Sequence, residues 1–382
     1  MSDFTLPPHL LLNGETMSDF TLPSHLRPAI VACALLIVGC GGSGSNGPAF
    51  EDSELAPAIV AAFADDVIIP TYEALAERLA LLETSVQTLQ ADPTEANLEA
   101  AQQAWVSARE PWEASEGFLF GPVDGLGIDP ALDSWPVDRT ALDQVLASGD
   151  ELTQAYVSSL DDTLQGFHTA EYLLFGTGND NTAADLTGRE LEYLAGVVAE
   201  MTDLGTELAA AWTDGVGGAA PYGDFIRTAG ATDNTVYPSM QAAAQEIVYG
   251  SIGILDEVAN GKIADPFGEQ DVTLVESQFS WNSLEDFTDN IHSVRNAWLG
   301  INLQTGESST SFADFVGDVD PDLAARVTSE IDAAIASLGA IPEPFRDSIT
   351  DPAAADQITA AQDAIRVVQA SYEAELQPFV TR

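Results

Sequence analysis

Apolar side chains recur at intervals of three and four along most of the chain. Tyr72, Leu75, Leu79, Leu82, Val86 and Leu89 form one such series. Leu191, Leu194, Val198, Met201, Gly205, Leu208 and Trp212 form a second, and Ile358, Ala361, Ile365, Val368 and Tyr372 a third. Each series places one apolar stripe along a helix. Start signals agree. Asp92-Pro93-Thr94-Glu95 offers a capping residue, a proline for the first helical position and an acidic residue behind it, and Ser283 with Asp286 offers a similar arrangement. No run alternates apolar and polar residues in the manner of a half-buried strand. The pattern predicts an all-α protein with long ordered loops at residues 121–138, 176–187, 215–234 and 262–281, which are rich in Gly, Pro, Asp and Asn. Long loops in a helical bundle usually carry function or cover a site.

The length, 382 residues, exceeds what one simple core accommodates, so two helical-bundle domains are expected, residues 53–214 and 215–382. The segment from Phe167 to Gly176 can be laid over the segment from Ile291 to Gly300, with His168 on His292, a hydroxyl residue after each, and a glycine closing both. This echo favours an internal duplication, with the two bundles related by a pseudo-twofold axis.

The first 40 residues read as a leader. MSDFTLPPHL at Met1 is nearly repeated as MSDFTLPSHL at Met17, and Met17 is taken as the true start. Arg27 precedes an apolar run at residues 29–38, too short to span a bilayer. The run ends in Leu36-Ile37-Val38-Gly39-Cys40, which resembles a lipobox. That resemblance implies lipidation of Cys40, with residues 41–52 as a flexible tether. Gly41 stands where an inner-membrane retention signal would have Asp. The expectation is therefore an exported protein held by its lipid anchor alone, on the periplasmic face of an outer membrane or at the cell surface.

Charge changes the picture of partners. The chain carries 61 acidic residues against 12 basic ones, a formal net charge of −49. Lys262 is its only lysine. Such a field repels phosphate backbones, so nucleic acid is excluded as a partner, and it attracts cations. Acid spread this widely reads first as a solvated surface. The only cysteines, Cys33 and Cys40, lie in the leader segment. The body is therefore held by packing rather than by disulfides.

Beyond the leader the histidines are His168 and His292, the first candidates for metal ligation or proton transfer. In Gly166-Phe167-His168-Thr169-Ala170-Glu171 the imidazole and carboxylate share a helix face with Leu164 and Phe175, so both are expected to be at least partly buried. A buried carboxylate needs a cation, a metal or a set of donors. A structural His–Glu pair explains the spacing equally well. A second cluster runs from Trp105 through Arg109, Pro111, Trp112, Glu113, Ser115 and Glu116. Arg109 is placed to neutralise Glu171 or Glu113. Pro111 lies inside the helical pattern and deprives the Ser107 carbonyl of its usual donor. A third cluster, Asn282, Ser283, Asp286, Asn290 and His292, contains an aspartate whose spacing fits a helix cap.

Taken in order, these clusters resemble the imelysin family, also called insulin-cleaving or iron-regulated membrane proteins. The family's GxHxxE motif matches Gly166, His168 and Glu171. Its Arg–Pro–Trp–Glu helix matches Arg109, Pro111, Trp112 and Glu113, and its later Asn–Ser and Asp–Phe helix matches Asn282, Ser283, Asp286, Phe287 and Asn290. GxHxxE alone is weak, but the three in order span nearly the whole mature chain. The resemblance implies two helical bundles with a site between them, and a role in iron or other metal uptake at the cell envelope alongside iron-transport components. The metal set is expected to be His168 and Glu171 with Glu113 and Glu116, holding iron or another divalent ion such as zinc. Arg109, Trp112, Ser115, Asn282, Ser283, Asp286, Asn290 and His292 are expected to contact the metal, a metal chelate or another ligand. A peptidase label travels with the family. The alternative is therefore a zinc peptidase with His168, Glu171 and His292 as ligands and Glu113 as base, although no HExxH is present. A partner-docking lipoprotein with a non-catalytic site is the third reading.

Overall fold

The three apolar stripes become the seams of an all-α fold in the computed structural model, which describes residues 49–381. The main helices of the fold, with the short α3 that carries Asp133, are α1 (Ile69–Ala91), α2 (Glu95–Glu113), α3 (Ile128–Asp133), α4 (Gly166–Phe175), α5 (Gly188–Thr213), α6 (Met240–Glu257), α7 (Ser283–Leu299), α8 (Pro321–Leu338) and α9 (Ala355–Ser371). No strand occurs among the described residues, only an isolated antiparallel bridge between Ile301 and Ser308. Leu75, Leu79, Leu82, Val86 and Leu89 of α1 are fully buried, as are Leu194, Val198, Met201 and Leu208 of α5 and Ile358, Ala361, Ile365 and Val368 of α9. Each such Leu, Ile, Val or Met side chain contributes about 1.5–3 kcal/mol of transfer free energy.

Packing follows from these stripes. α1 lies against α2 and α5, and α8 pairs with α9. α7 packs on α6 and α8. α2 joins the two sets, touching α1 and α4 as well as α7. It thereby carries Arg109 and Glu113 to the face where α7 presents Asp286 and Asn290. Nearby, the Gly117 amide donates to Ser293 Oγ at 2.9 Å. A Cβ on Gly250 of α6 would stand 2.2 Å from the Gly117 carbonyl oxygen, so α6 crosses this turn at backbone contact.

The structure revises several local expectations. Thr94, not Asp92, caps α2, accepting from the Asn97 amide at 3.4 Å, and Pro93 falls outside the helix. Ser283 does not cap α7. Its Oγ donates to the Glu276 carbonyl at 2.5 Å, while Asp286 turns toward Arg109. Three of the four long loops contain short helices: α3 in residues 121–138, Tyr222–Arg227 in residues 215–234 and Ala264–Glu269 in residues 262–281. α4 and α7 both end on glycines in the left-handed half of φ space, Gly176 (φ 70°) and Gly300 (φ 65°), which accounts for the glycine shared by the sequence echo. The readings on Met17, Cys40 and the leader concern segments outside the described residues. No described helix is long and apolar enough to cross a membrane.

Candidate metal centre

Two local distortions position the centre. The first is at Gly166, the opening residue of α4. Its φ is +75°, and a Cβ there would lie 2.2 Å from the carbonyl oxygen of Leu132. Only glycine permits this contact. The contact seats the first turn of α4 on the end of α3 and brings Asp133 beside His168. The second is Pro111, in the last turn of α2. The Ser107 carbonyl that it leaves without a helical donor is satisfied by Arg78 Nη1 at 2.8 Å, and Arg78 also pairs with Glu110.

Arg109 is fully buried between these distortions. Its guanidinium pairs with Glu113 and Asp133, with Glu276 at 3.1 Å and with Asp286 at 3.3 Å. It also lies over the Phe167 and Trp105 rings, at 5.0 and 5.8 Å. Burial opposes its charge, but Asp133, Asp286, Glu113 and Glu276 outweigh burial and hold it protonated. Arg109 thus pairs with Glu113, one of the two partners the sequence reading offered it, and not with Glu171.

Glu171 is buried and saturated by protein donors. Its Oε1 accepts from the Phe279 amide (2.9 Å), the Ser280 amide (2.7 Å) and Ser280 Oγ (2.8 Å). Its Oε2 faces His168 Nδ1 at 3.3 Å. A carboxylate at Nδ1 places the ring proton there and leaves Nε2 as the free lone pair of the neutral imidazole. His168 Nε2 is 3.1 Å from Asp133 Oδ1 and 3.8 Å from Glu276 Oε1, yet makes no hydrogen bond of acceptable geometry. The Trp135 ring covers the imidazole edge-on, 4.9 Å between centroids. Burial lowers the His168 pKa, but Asp133 and Glu171 more than reverse this and lift it to about 9. Asp133 is held well below the usual carboxylate range: burial pushes it up, and Arg109 and His168 pull it down further.

The turn that supplies the Glu171 donors is itself constrained. Ser277 and Trp281 have φ of 49° and 67°, which is strained backbone for residues with side chains. Arg346 donates to the Gln278 carbonyl at 2.8 Å and Asn179 to the Ser280 carbonyl at 3.1 Å, fixing the turn from both sides.

Lys262 completes the charge pattern. Its ammonium lies 3.1 Å from Glu276 Oε2, 3.6 Å from Glu113 Oε2 and 3.8 Å from Glu116 Oε1. It borders a cavity of about 450 Å³ lined also by Glu116, Asp129, Asp133, Glu257, Asp265 and Glu276. Asp129 is raised to about 6 by burial and by its neighbours Asp133 and Glu257. Burial raises Glu113 and Glu116 well above the ordinary carboxylate range despite Arg109 and Lys262. Carboxylates outnumber the fixed cations Arg109 and Lys262 here.

The remaining sequence candidates fall around this centre. Asn290 Nδ2 donates to Glu113 Oε2 at 2.6 Å, and Asn282 Nδ2 donates to Asp286 Oδ1 at 2.7 Å. Trp112 Nε1 donates to Asp133 Oδ2 at 2.8 Å, and Ser115 Oγ to the Trp112 carbonyl at 2.7 Å. His292 stands apart. It is 39% exposed, pairs with Asp289 at 3.1 Å and joins none of the potential ligand groups among the described residues. Those groups are Asp133–His168–Glu276, Glu113–Glu116–Asp133 and Glu113–Glu276–Asp286. The sequence reading did not name Asp133 and Glu276, which the fold brings within 4 Å of His168. Both lie in loops that it marked as functional, but nothing in a chain with 61 acidic residues singles them out.

The imelysin family model (Peptidase_M75) matches residues 68–372, and the chain belongs to that family. It is 34% identical to iron-regulated protein A of Synechococcus elongatus over 83% of this chain and 85% of that one. Its fold matches the crystal structure of an iron-regulated protein A precursor from Parabacteroides distasonis. There the TM-score is 0.77 and identity 30%, covering 87% of this chain and 95% of the other. An imelysin-like protein from Psychrobacter arcticus shares the fold at 14% identity, TM-score 0.66, covering 84% of this chain and 94% of its own.

Proposed function

We propose that this protein binds one divalent metal ion, iron in its biological setting, through His168, Asp133 and Glu276. The observation that carries this reading is His168 Nε2. It is buried, lacks a hydrogen-bond partner and lies within 4 Å of two carboxylates, while Glu171 holds the other ring nitrogen. A ligating histidine characteristically has its second nitrogen fixed in this way. Glu171 then orients the ligand and does not itself ligate. One imidazole with carboxylate oxygens suits iron or zinc. When bound, the ion would be held by the Asp133 and Glu276 carboxylates, and its entry would displace the proton of His168. Arg109 fixes the Asp133 and Glu276 side chains. The acidic cavity beside Lys262 is the route by which a hydrated cation reaches them.

Iron is favoured because two of the relatives carry iron-regulated names. The leader ending at Cys40 supports an exported, lipid-anchored protein that takes part in metal acquisition at the envelope with transport components there. The zinc peptidase draws no support from His292, which lies outside the ligand groups, or from Glu113, whose carboxylate is engaged by Arg109 and Asn290. The test is metal binding by the described body, produced without a metal-binding tag. Fe(II), Zn(II) and Mn(II) are titrated under anaerobic conditions into wild type and His168→Ala. One ion per chain in the wild type and none in the variant is the expected result. Equal binding by both removes the site from His168.

A further inference from the structure

We propose that Trp135 is the gate through which a cation passes from the acidic cavity to His168, and that its ring sets the rate of metal exchange rather than the affinity. The proposal rests on the reading of His168 Nε2 as a ligand. His168 is fully buried and does not line the cavity. Three residues line the cavity and also lie against the imidazole. Asp133 Oδ1 is 3.1 Å from Nε2, Glu276 Oε1 is 3.8 Å from it, and the Trp135 ring stands edge-on to the imidazole with 4.9 Å between centroids. An ion in the cavity therefore meets a closed wall. One of these three side chains must move before His168 can bind it.

The three differ in what holds them. Asp133 pairs with Arg109 and accepts from Trp112 Nε1 at 2.8 Å. Glu276 pairs with Arg109 and with Lys262, each at 3.1 Å. Moving either carboxylate breaks charge-assisted contacts in a buried setting, where such contacts are strongest. Trp135 carries no charge. It is held by ring contacts, to His168 and to Phe279 at 6.3 Å. It is half-buried and Pro136 beside it is exposed, so the indole borders solvent on its outer side. Each edge-on contact is worth a factor of about 2–10, so losing both leaves the open rotamer populated at about 1–25%. Binding that waits on so minor a conformer is slowed accordingly. The ring closes over the occupied site as over the free one, so entry and exit slow together and affinity is kept.

Two measurements on the full chain test the gate, one of them without metal. Diethyl pyrocarbonate acylates neutral histidine nitrogens, and its reaction at each histidine of the metal-free protein is followed by peptide mass spectrometry at one fixed pH. His292, 39% exposed, is the internal standard. Trp135→Ala is expected to raise the His168 rate about 4–100-fold relative to His292, while Trp135→Phe, which keeps an edge-on ring, stays within about threefold of wild type. Zn(II) is the metal probe, its association and its dissociation into excess chelating dye being followed by stopped flow. Both rate constants should rise in Trp135→Ala by the factor found for modification, with a dissociation constant within about threefold of wild type. Equal modification of His168 in wild type and Trp135→Ala overturns the proposal. So does faster dissociation with unchanged association, which would make Trp135 a stabiliser of the bound ion. If the wild type binds no Zn(II) while Trp135→Ala still unmasks His168, the ligand reading has failed and the gate stands. Should Trp135→Ala not fold, Trp135→Leu, which keeps apolar bulk without a ring, carries the same expected direction. Failure of both to fold makes Trp135 a structural residue and overturns the proposal.

Discussion

Replacing Glu171 with glutamine tests the proposal that His168 ligates the metal and Glu171 orients it. The glutamine oxygen can keep the three hydrogen bonds that Glu171 Oε1 accepts from Phe279 and Ser280. Its amide nitrogen then takes the place of Oε2 and points at His168 Nδ1, 3.3 Å away. A donor there forces Nδ1 to accept, so the ring proton moves to Nε2 and the metal-binding lone pair is lost. The stability cost is modest. Three bonds pass from charge-assisted to neutral, each weakened by about 1 kcal/mol, so the metal-free variant should lose about 1–3 kcal/mol. Metal affinity should fall by about 10–100-fold, the usual effect of removing a histidine's outer partner. Urea unfolding of the metal-free proteins measures the first quantity, and competition against a chelating dye measures the second. Wild-type affinity in Glu171→Gln would refute the reasoning, because His168 would then ligate without a fixed tautomer.

Three further outcomes are expected. Gly166→Ala combines a positive φ with a backbone contact of 2.2 Å, so it should cost about 2–5 kcal/mol and weaken metal binding, read by thermal unfolding and titration. His168 is lifted from its ordinary 6.5 to about 9. A raised pKa gives stability that is complete below pH 6.5 and lost as pH climbs through 9, amounting to about 3 kcal/mol in the metal-free protein. Denaturant midpoints from pH 6 to 10 should show this loss in the wild type and not in His168→Ala, while metal affinity rises over the same interval as the competing proton leaves. Arg78→Met removes the donor that satisfies the Ser107 carbonyl beside Pro111 and should cost about 1 kcal/mol in chemical denaturation, the group being only partly shielded.

Helices were legible because their stripes are periodic and buried: the positions named along α1, α5 and α9 are those that the core encloses. His168 and Glu171 were legible because histidine is rare in this chain and the three-residue spacing puts both on one face. The same spacing could not show which donors Glu171 accepts from. Those donors include the Phe279 and Ser280 amides, which arrive from 108 and 109 residues away. Pro111 correctly marked an orphaned carbonyl, but its donor, Arg78, comes from the neighbouring helix. Asp286 looked like a cap because local spacing is all that a cap requires, and only the packing of α7 on α2 turns it toward Arg109. Asp133 and Glu276 were hidden for a compositional reason. Where acid is everywhere, a carboxylate that the fold brings beside His168 has no signature until the chain folds around it.

The most direct test of the central claim is to locate the ion itself. Anomalous diffraction from crystals of the wild-type protein loaded with Fe(II) should give a peak about 2.0–2.2 Å from His168 Nε2 and from oxygens of Asp133 and Glu276. Glu171 should remain on the far side of the imidazole, hydrogen-bonded to Nδ1. A peak with Glu171 in direct contact, a peak away from His168, or no peak at full loading would contradict the account.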